Sequence, residues 1–138
     1  MPDFNVFIKG KICPYCNCST ELVDHTAIYG LSSTFGGKYF RCVKNNDHYV
    51  GTYKNTSKSL GRLADKELRI WKMKGHTEFD ALWREEPKRF KERYNAYQWL
   101  SKEMGINMAH THFGMFDIEQ CKTAIEICKK IKDVYTNE

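Results

Sequence analysis

The chain has 138 residues, 41% hydrophobic and 14% aromatic, with a formal net charge of +5. That is enough for one domain, or for a small metal module joined to a small helical one, and no apolar run reaches membrane-spanning length. The opening MPDFNVFIKG lacks the apolar core of a signal peptide, so a cytoplasmic protein without membrane contact is expected. Six cysteines with CxxC spacing then point to reduced thiols and metal, not a disulfide framework.

In chain order, Phe4, Val6 and Ile8 alternate with polar residues, and 4–12 reads as a strand leading into Cys13-Pro-Tyr-Cys16. A CxxC pair on a tight turn sets two thiolates side by side, and Asn17 tolerates the left-handed backbone such a turn ends on. Residues 21–29 read as a second strand, 30–38 as a Gly/Ser loop, and Tyr39–Arg41 as a strand returning to Cys42. Residues 48–53 leave the second metal turn as a last strand.

Cys13, Cys16 and Cys42 are three ligands of one structural Zn2+. His48 is the preferred fourth, although the Cys42-x5-His48 spacing is longer than usual, and Cys18 is its rival; His25 and Asp47 are also candidates. A site closed by four protein donors leaves no position for a substrate water, so a non-enzymatic binding role is expected and no small-molecule substrate is indicated.

After a polar connector, Leu60, Ala64, Leu68, Trp71, Phe79 and Leu82 recur at helical steps, predicting a helix over 62–83 that Gly75 interrupts. Pro87 suits the start of a second helix over 88–104, ended by Gly105. Residues 106–116 connect. Asp117 and Gln120 then form a capping box for a last helix in which Ile118, Cys121, Ile125, Cys128 and Ile131 keep helical spacing. The expected fold class is therefore α+β: an N-terminal zinc ribbon over 1–57, and about three α-helices over 58–138.

The positive charge is uneven. Residues 1–57 hold 6 Lys/Arg and 4 Asp/Glu, residues 58–104 hold 12 and 8, and residues 105–138 hold 4 and 5. Arg41, Lys66, Arg69, Lys88, Arg89, Lys91 and Arg93 are candidate phosphate contacts, with Tyr39, Phe40, Tyr49 and Tyr53 as stacking aromatics. His76 and Asp80, one helical turn apart, and His110 and His112, two apart, are candidates for a metal-dependent nuclease centre, but no nucleophile or carboxylate cluster accompanies them. The expected partner is nucleic acid or a host protein.

The chain also resembles a known family. CPYC, then HYVGTYKNTSKSLGRLADKELRIWKMKGHTEFDALW, AYQWLSKEMGI and HFGMFDIEQC follow the order seen in the zinc-finger-containing domain, formerly a domain of unknown function, of small phage and mobile-element proteins. The resemblance runs from Cys13 to about Cys128. It implies a zinc ribbon joined to helices in a phage or prophage setting, and it implies no particular activity. The family pattern has a second cysteine pair where this chain has Cys42 alone. Its last cysteine falls near Asn46, and Tyr53 stands where the family often has His. His48 or Cys18 would complete the ligand set.

Overall fold

A computed structural model describes residues 4–136 and divides them into two compact units, with the boundary between Lys66 and Glu67. The first unit holds a three-stranded antiparallel sheet in the order β1 (Thr20–Asp24), β2 (Lys38–Cys42), β3 (Tyr49–Gly51). In the β1–β2 register Thr20 faces Cys42 and Leu22 faces Phe40; in β2–β3, Phe40 faces Val50. Alternation along β2 sends Phe40 and Cys42 inward, where they form a core with Cys13, Val50 and Leu63, and sends Tyr39 and Arg41 to the opposite face.

The stretch expected to be the first strand contains a short helix, α1 (Phe4–Ile8). The alternation of Phe4, Val6 and Ile8 loses to a strong local stop. Gly10, at φ +75°, donates its N–H to the Phe7 carbonyl and Lys11 donates to Val6, the paired bonds that close a helix end. Extended pairing in this region is confined to one bridge, Ile12 with Ser19.

The second expected strand is also cut short. Asp24 accepts hydrogen bonds from the Thr26 N–H at 3.3 Å and hydroxyl at 2.8 Å, and so caps a helical turn, α2 (His25–Tyr29).

Residues 62–65, expected to begin a helix, stay extended. Ala64 exchanges backbone hydrogen bonds with Tyr49 at 3.0 and 3.3 Å, Asp65 N–H donates to the Tyr15 hydroxyl, and Lys66 N–H donates to Asp47 Oδ2. Leu63 is fully buried beside Cys13 and Cys42. Residues 58–66 therefore pack with the metal-bearing unit, and α3 runs over Lys66–Arg84.

The second unit is helical. Leu68, Phe79 and Leu82 of α3 are buried in it, as are Ala96, Tyr97 and Leu100 of α4 (Arg93–Met104) and Cys121, Ala124, Ile125 and Cys128 of α5 (Ile118–Thr136). The two cysteines of α5 act as small apolar residues, and burial pushes their thiols up to about 11 and about 12. The connection between α4 and α5 makes two 3-10 turns, Met108–His110 and Phe113–Met115, and sinks Phe113 and Phe116 fully into the core. A Cβ at Gly75 would collide with the Phe113 ring, so glycine lets this turn lie directly on α3.

The helix expected from Lys88 begins at Arg93. Arg89 and Phe90 both donate N–H bonds to the Leu82 carbonyl, at 2.9 and 3.1 Å, so the segment folds back over the end of α3. Gly105, at φ +69°, ends α4 as expected. At α5, Asp117 Oδ1 accepts from the Gln120 N–H at 2.8 Å while Gln120 Oε1 accepts from the Asp117 N–H at 3.0 Å, the expected reciprocal box.

Candidate metal centre

The first metal turn is built by the backbone. Cys13 N–H donates to the Cys18 carbonyl at 2.9 Å, and Asn17 N–H donates to the Cys13 carbonyl at 2.8 Å. Asn17 takes the left-handed conformation at φ +55°. The second turn follows β2: Cys42 N–H donates to the His48 carbonyl, and His48 N–H to the Asn45 carbonyl. The extra residues between Cys42 and His48 are absorbed in this turn, so the long spacing still brings the imidazole back.

The donor atoms of Cys13, Cys16, Cys42 and His48 all lie within 4.8 Å of one another. His48 Nδ1 is 3.4 Å from Cys13 Sγ and 3.7 Å from Cys16 Sγ. A tetrahedral zinc with Zn–S about 2.3 Å and Zn–N about 2.0 Å requires S···N separations of about 3.5 Å, so the arrangement fits one zinc ion.

The electrostatics agree. Burial pushes the Cys13 thiol up to about 12. Burial also opposes the Cys42 thiolate, yet N–H bonds from Lys44 and Asn45, each 3.4 Å from its sulfur, together with hydrogen bonds from the Cys18 and Cys13 thiols, outweigh it and bring its pKa down to about 6. Three clustered thiols resist ionising together, and a divalent cation at their centre removes that conflict.

Cys18 stands outside the four-atom set but close to it. Its Sγ is 3.4 Å from Cys42 Sγ, where its S–H can donate to the ligand sulfur. His25 and Asp47 are engaged elsewhere: His25 Nδ1 lies 2.9 Å from Ser33 Oγ, and Asp47 accepts from the Lys66 amide. Sequence reasoning passed over Tyr15, whose ring packs on His48 with centroids 4.5 Å apart. An aromatic inside the CxxC turn was the available signal for it.

The pattern that defines the zinc-finger-containing domain matches residues 9–131. The chain belongs to that family. The cluster of Cys13, Cys16, Cys42 and His48 fits one structural zinc ion. No curated protein and no solved structure gives a significant match to the chain.

The remaining predicted site residues divide. Arg41 is committed within its own unit: Nη2 donates to Glu21 Oε1 at 2.9 Å, across the register pair, and Nη1 to the Ala27 carbonyl of α2. Phe40 is core, not a stacking platform. Lys66, Lys88, Lys91 and Arg93 are exposed, whereas Arg69 and Arg89 are half-buried. Lys88, Arg89 and Lys91 precede α4 and are not part of it.

His76 packs on Phe113 and His112 on Tyr97, while His110 lies in the 3-10 turn Met108–His110. Among the described residues His76, Asp80, His110 and His112 do not form a metal-binding group. No described helix is long and apolar enough to cross a membrane.

Proposed function

We propose that this zinc-finger-containing protein binds nucleic acid, with the zinc ordering an aromatic, positively charged sheet face. The observation that carries the reading is the surface opposite the metal core. Tyr29, Phe35, Tyr39 and Tyr49 form a continuous ring cluster there, with centroid distances of 4.5–6.3 Å. Phe35 is 73% exposed and Tyr29 is 43% exposed. Tilted and edge-to-face packing holds these rings as a platform, and a base can stack on the exposed Phe35 and Tyr29.

Charge supports the same unit. Residues 1–66 hold 9 Lys/Arg against 5 Asp/Glu, whereas residues 67–138 hold 13 against 12. Two of the acids are neutralised internally, Glu21 by Arg41 and Asp24 by Lys38. Lys9, Lys11, Lys38, Lys44, Lys54, Lys58 and Lys66 are exposed. In the helical unit, Lys88, Lys91 and Arg93 supply a second, smaller basic patch.

Anisotropy titration with single-stranded DNA and RNA over a salt series tests this. Micromolar binding that weakens with salt is expected. Phe35→Ala weakens it by about tenfold, the scale of one stacked base. Lys88→Ala and Lys91→Ala each flatten the salt slope by about one unit. Absence of salt-dependent binding at tens of micromolar, on the order of non-specific affinities, contradicts the proposal.

One observation favours a second reading, docking of a protein partner. Leu31, four residues before Phe35 in the same loop, is 95% exposed, and an aliphatic side chain suits a protein surface better than a phosphate backbone. In a phage or mobile-element setting that partner would be a host transcription or defence component. A protein that co-purifies stoichiometrically after nuclease treatment supports this reading; nuclease-sensitive co-purification supports the first.

A further inference from the structure

Cys18 is a thiol left over from the metal centre. Cys13, Cys16, Cys42 and His48 make up the four-donor set, and Cys121 and Cys128 are fully buried in the helical unit. Cys18 belongs to neither group and is only half-buried, so a small solute reaches it from solvent. Its sulfur nevertheless lies 3.4 Å from Cys42 Sγ, against a ligand of the metal site.

The backbone puts it there. The Cys18 carbonyl accepts the Cys13 N–H at 2.9 Å, Ser19 bridges to Ile12, and Thr20 stands opposite Cys42 in the β1–β2 register. From the other side, the Lys44 and Asn45 N–H groups each reach Cys42 Sγ at 3.4 Å and hold that sulfur in place. Each sulfur is thus positioned by its own segment, and the two segments are joined by the sheet.

A disulfide has an S–S length of about 2.05 Å, so closure needs the two sulfurs to approach by about 1.4 Å. Cys18 precedes β1 and stands outside the ligand set, so rotation of its side chain supplies that approach without first breaking a metal bond.

We propose that Cys18 is an oxidation site, at which a peroxide converts Cys18 and Cys42 into a disulfide that takes Cys42 away from the metal. Cys18 Sγ attacks the peroxide O–O bond and keeps one oxygen as a sulfenic acid; its thiol proton leaves with the other oxygen as water. Cys42 Sγ then attacks Cys18 Sγ, the S–OH bond breaks, and the hydroxide departs as a second water with one proton from solvent. Two electrons pass from the two sulfurs to hydrogen peroxide, which is reduced to two waters. Cys13, Cys16 and His48 remain as donors, and these lose the metal to a competing chelator that the closed site resists.

The disulfide closes a loop over residues 18–42. That loop contains β1, α2 and β2, together with the rings of Tyr29, Phe35 and Tyr39. Oxidation therefore staples the ends of this hairpin while it releases both metal turns. The inference goes beyond the nucleic-acid reading and holds whatever the sheet face binds.

The test exposes the zinc-loaded full chain to hydrogen peroxide beside a chromogenic chelator, and maps the unreduced products by mass spectrometry. One zinc is released for each disulfide formed, and the linked pair is Cys18–Cys42. A thiol reductant with added zinc restores the starting form. Cys18→Ser holds one zinc without oxidant and releases it about tenfold more slowly under peroxide, because the thiol positioned against Cys42 is gone.

Parental release in Cys18→Ser overturns the proposal. So does a Cys13–Cys16 link in the parent chain, or an oxidised Cys18 in a chain that keeps its zinc. A Cys18→Ser chain unable to hold zinc in the absence of oxidant overturns it as well, since Cys18 is then a ligand. The linkage map is read on the parent chain and needs no variant. Neither readout uses an oligonucleotide, so failure of the nucleic-acid reading leaves this test intact.

Discussion

Removing the zinc is expected to unfold the first unit and spare the second. Either excess chelator or Cys42→Ser should abolish the ordered signals of β1–β3, while the helical signal from α3, α4 and α5 persists. The apolar core around the metal is small: Phe40, Val50 and Leu63 join the buried Cys13 and Cys42. A core of that size cannot by itself offset the ordering of some sixty residues. Zinc binding in comparable finger peptides is worth about 10–16 kcal/mol, as much as the whole stability of a typical small domain. Losing one thiolate also leaves a buried, badly paired donor set. The measurement is a two-dimensional NMR spectrum before and after chelation, with zinc content determined on the same sample. Retention of dispersed sheet resonances without metal would mean that the apolar contacts suffice.

The second large effect is expected at Gly75→Ala. In an open helix this change stabilises by about 1 kcal/mol. Here the sign inverts. The new methyl group would strike the ring of Phe113, with Cδ1 only 2.8 Å away. Phe113 cannot retreat, being fully buried and flanked by Phe79 at 5.7 Å and Phe116 at 5.1 Å. Overpacking of this kind costs about 1–3 kcal/mol and here exceeds the gain in helix propensity, so a net loss of about 1–2 kcal/mol and a Tm lowered by about 5–10 °C are expected. Phe113→Leu on its own leaves a cavity and destabilises. Combined with Gly75→Ala it is less harmful than the sum of the two, because each change relieves the other. A more stable Gly75→Ala variant would show that the 3-10 turn does not lie on α3 as described.

The Cys13, Cys16, Cys42 and His48 cluster was legible because zinc-binding sequence patterns are local. CxxC fixes one pair of donors, and the two remaining donors needed only a returning strand. The capping box at Asp117 and the glycine stop at Gly105 were legible for the same reason, since each is decided within a turn of the chain.

The errors arose where short-range patterns were ambiguous. Phe4, Val6 and Ile8 alternate like a strand, but they sit too close to Gly10, whose left-handed backbone closes a helix instead. Residues 62–65 have helical spacing and are held extended by Tyr49, more than ten residues earlier in the chain. Lys88 and Arg89 looked like a helix start after Pro87, until the Leu82 carbonyl drew that segment back.

Long-range pairing hid the rest. Nothing in the sequence announces that Arg41 is held by Glu21, or that Phe40 turns inward while Tyr39 turns out. His76 and His112 were visible as separate possibilities. His112 meets Tyr97 of α4 and His76 meets Phe113, and these contacts are properties of the packing.

The account rests on which four atoms hold the metal, and cobalt substitution reads this directly. The tetrahedral Co2+ spectrum of a three-sulfur, one-nitrogen site differs from that of a four-sulfur site, and Cys-to-Co2+ charge transfer scales with the number of thiolates. The parent chain is expected to show three thiolates and one imidazole, Cys18→Ser to keep that spectrum, and His48→Ala to lose it or bind metal far more weakly. A four-thiolate spectrum that persists in His48→Ala and collapses in Cys18→Ser would contradict the assignment and place Cys18 on the metal in its stead.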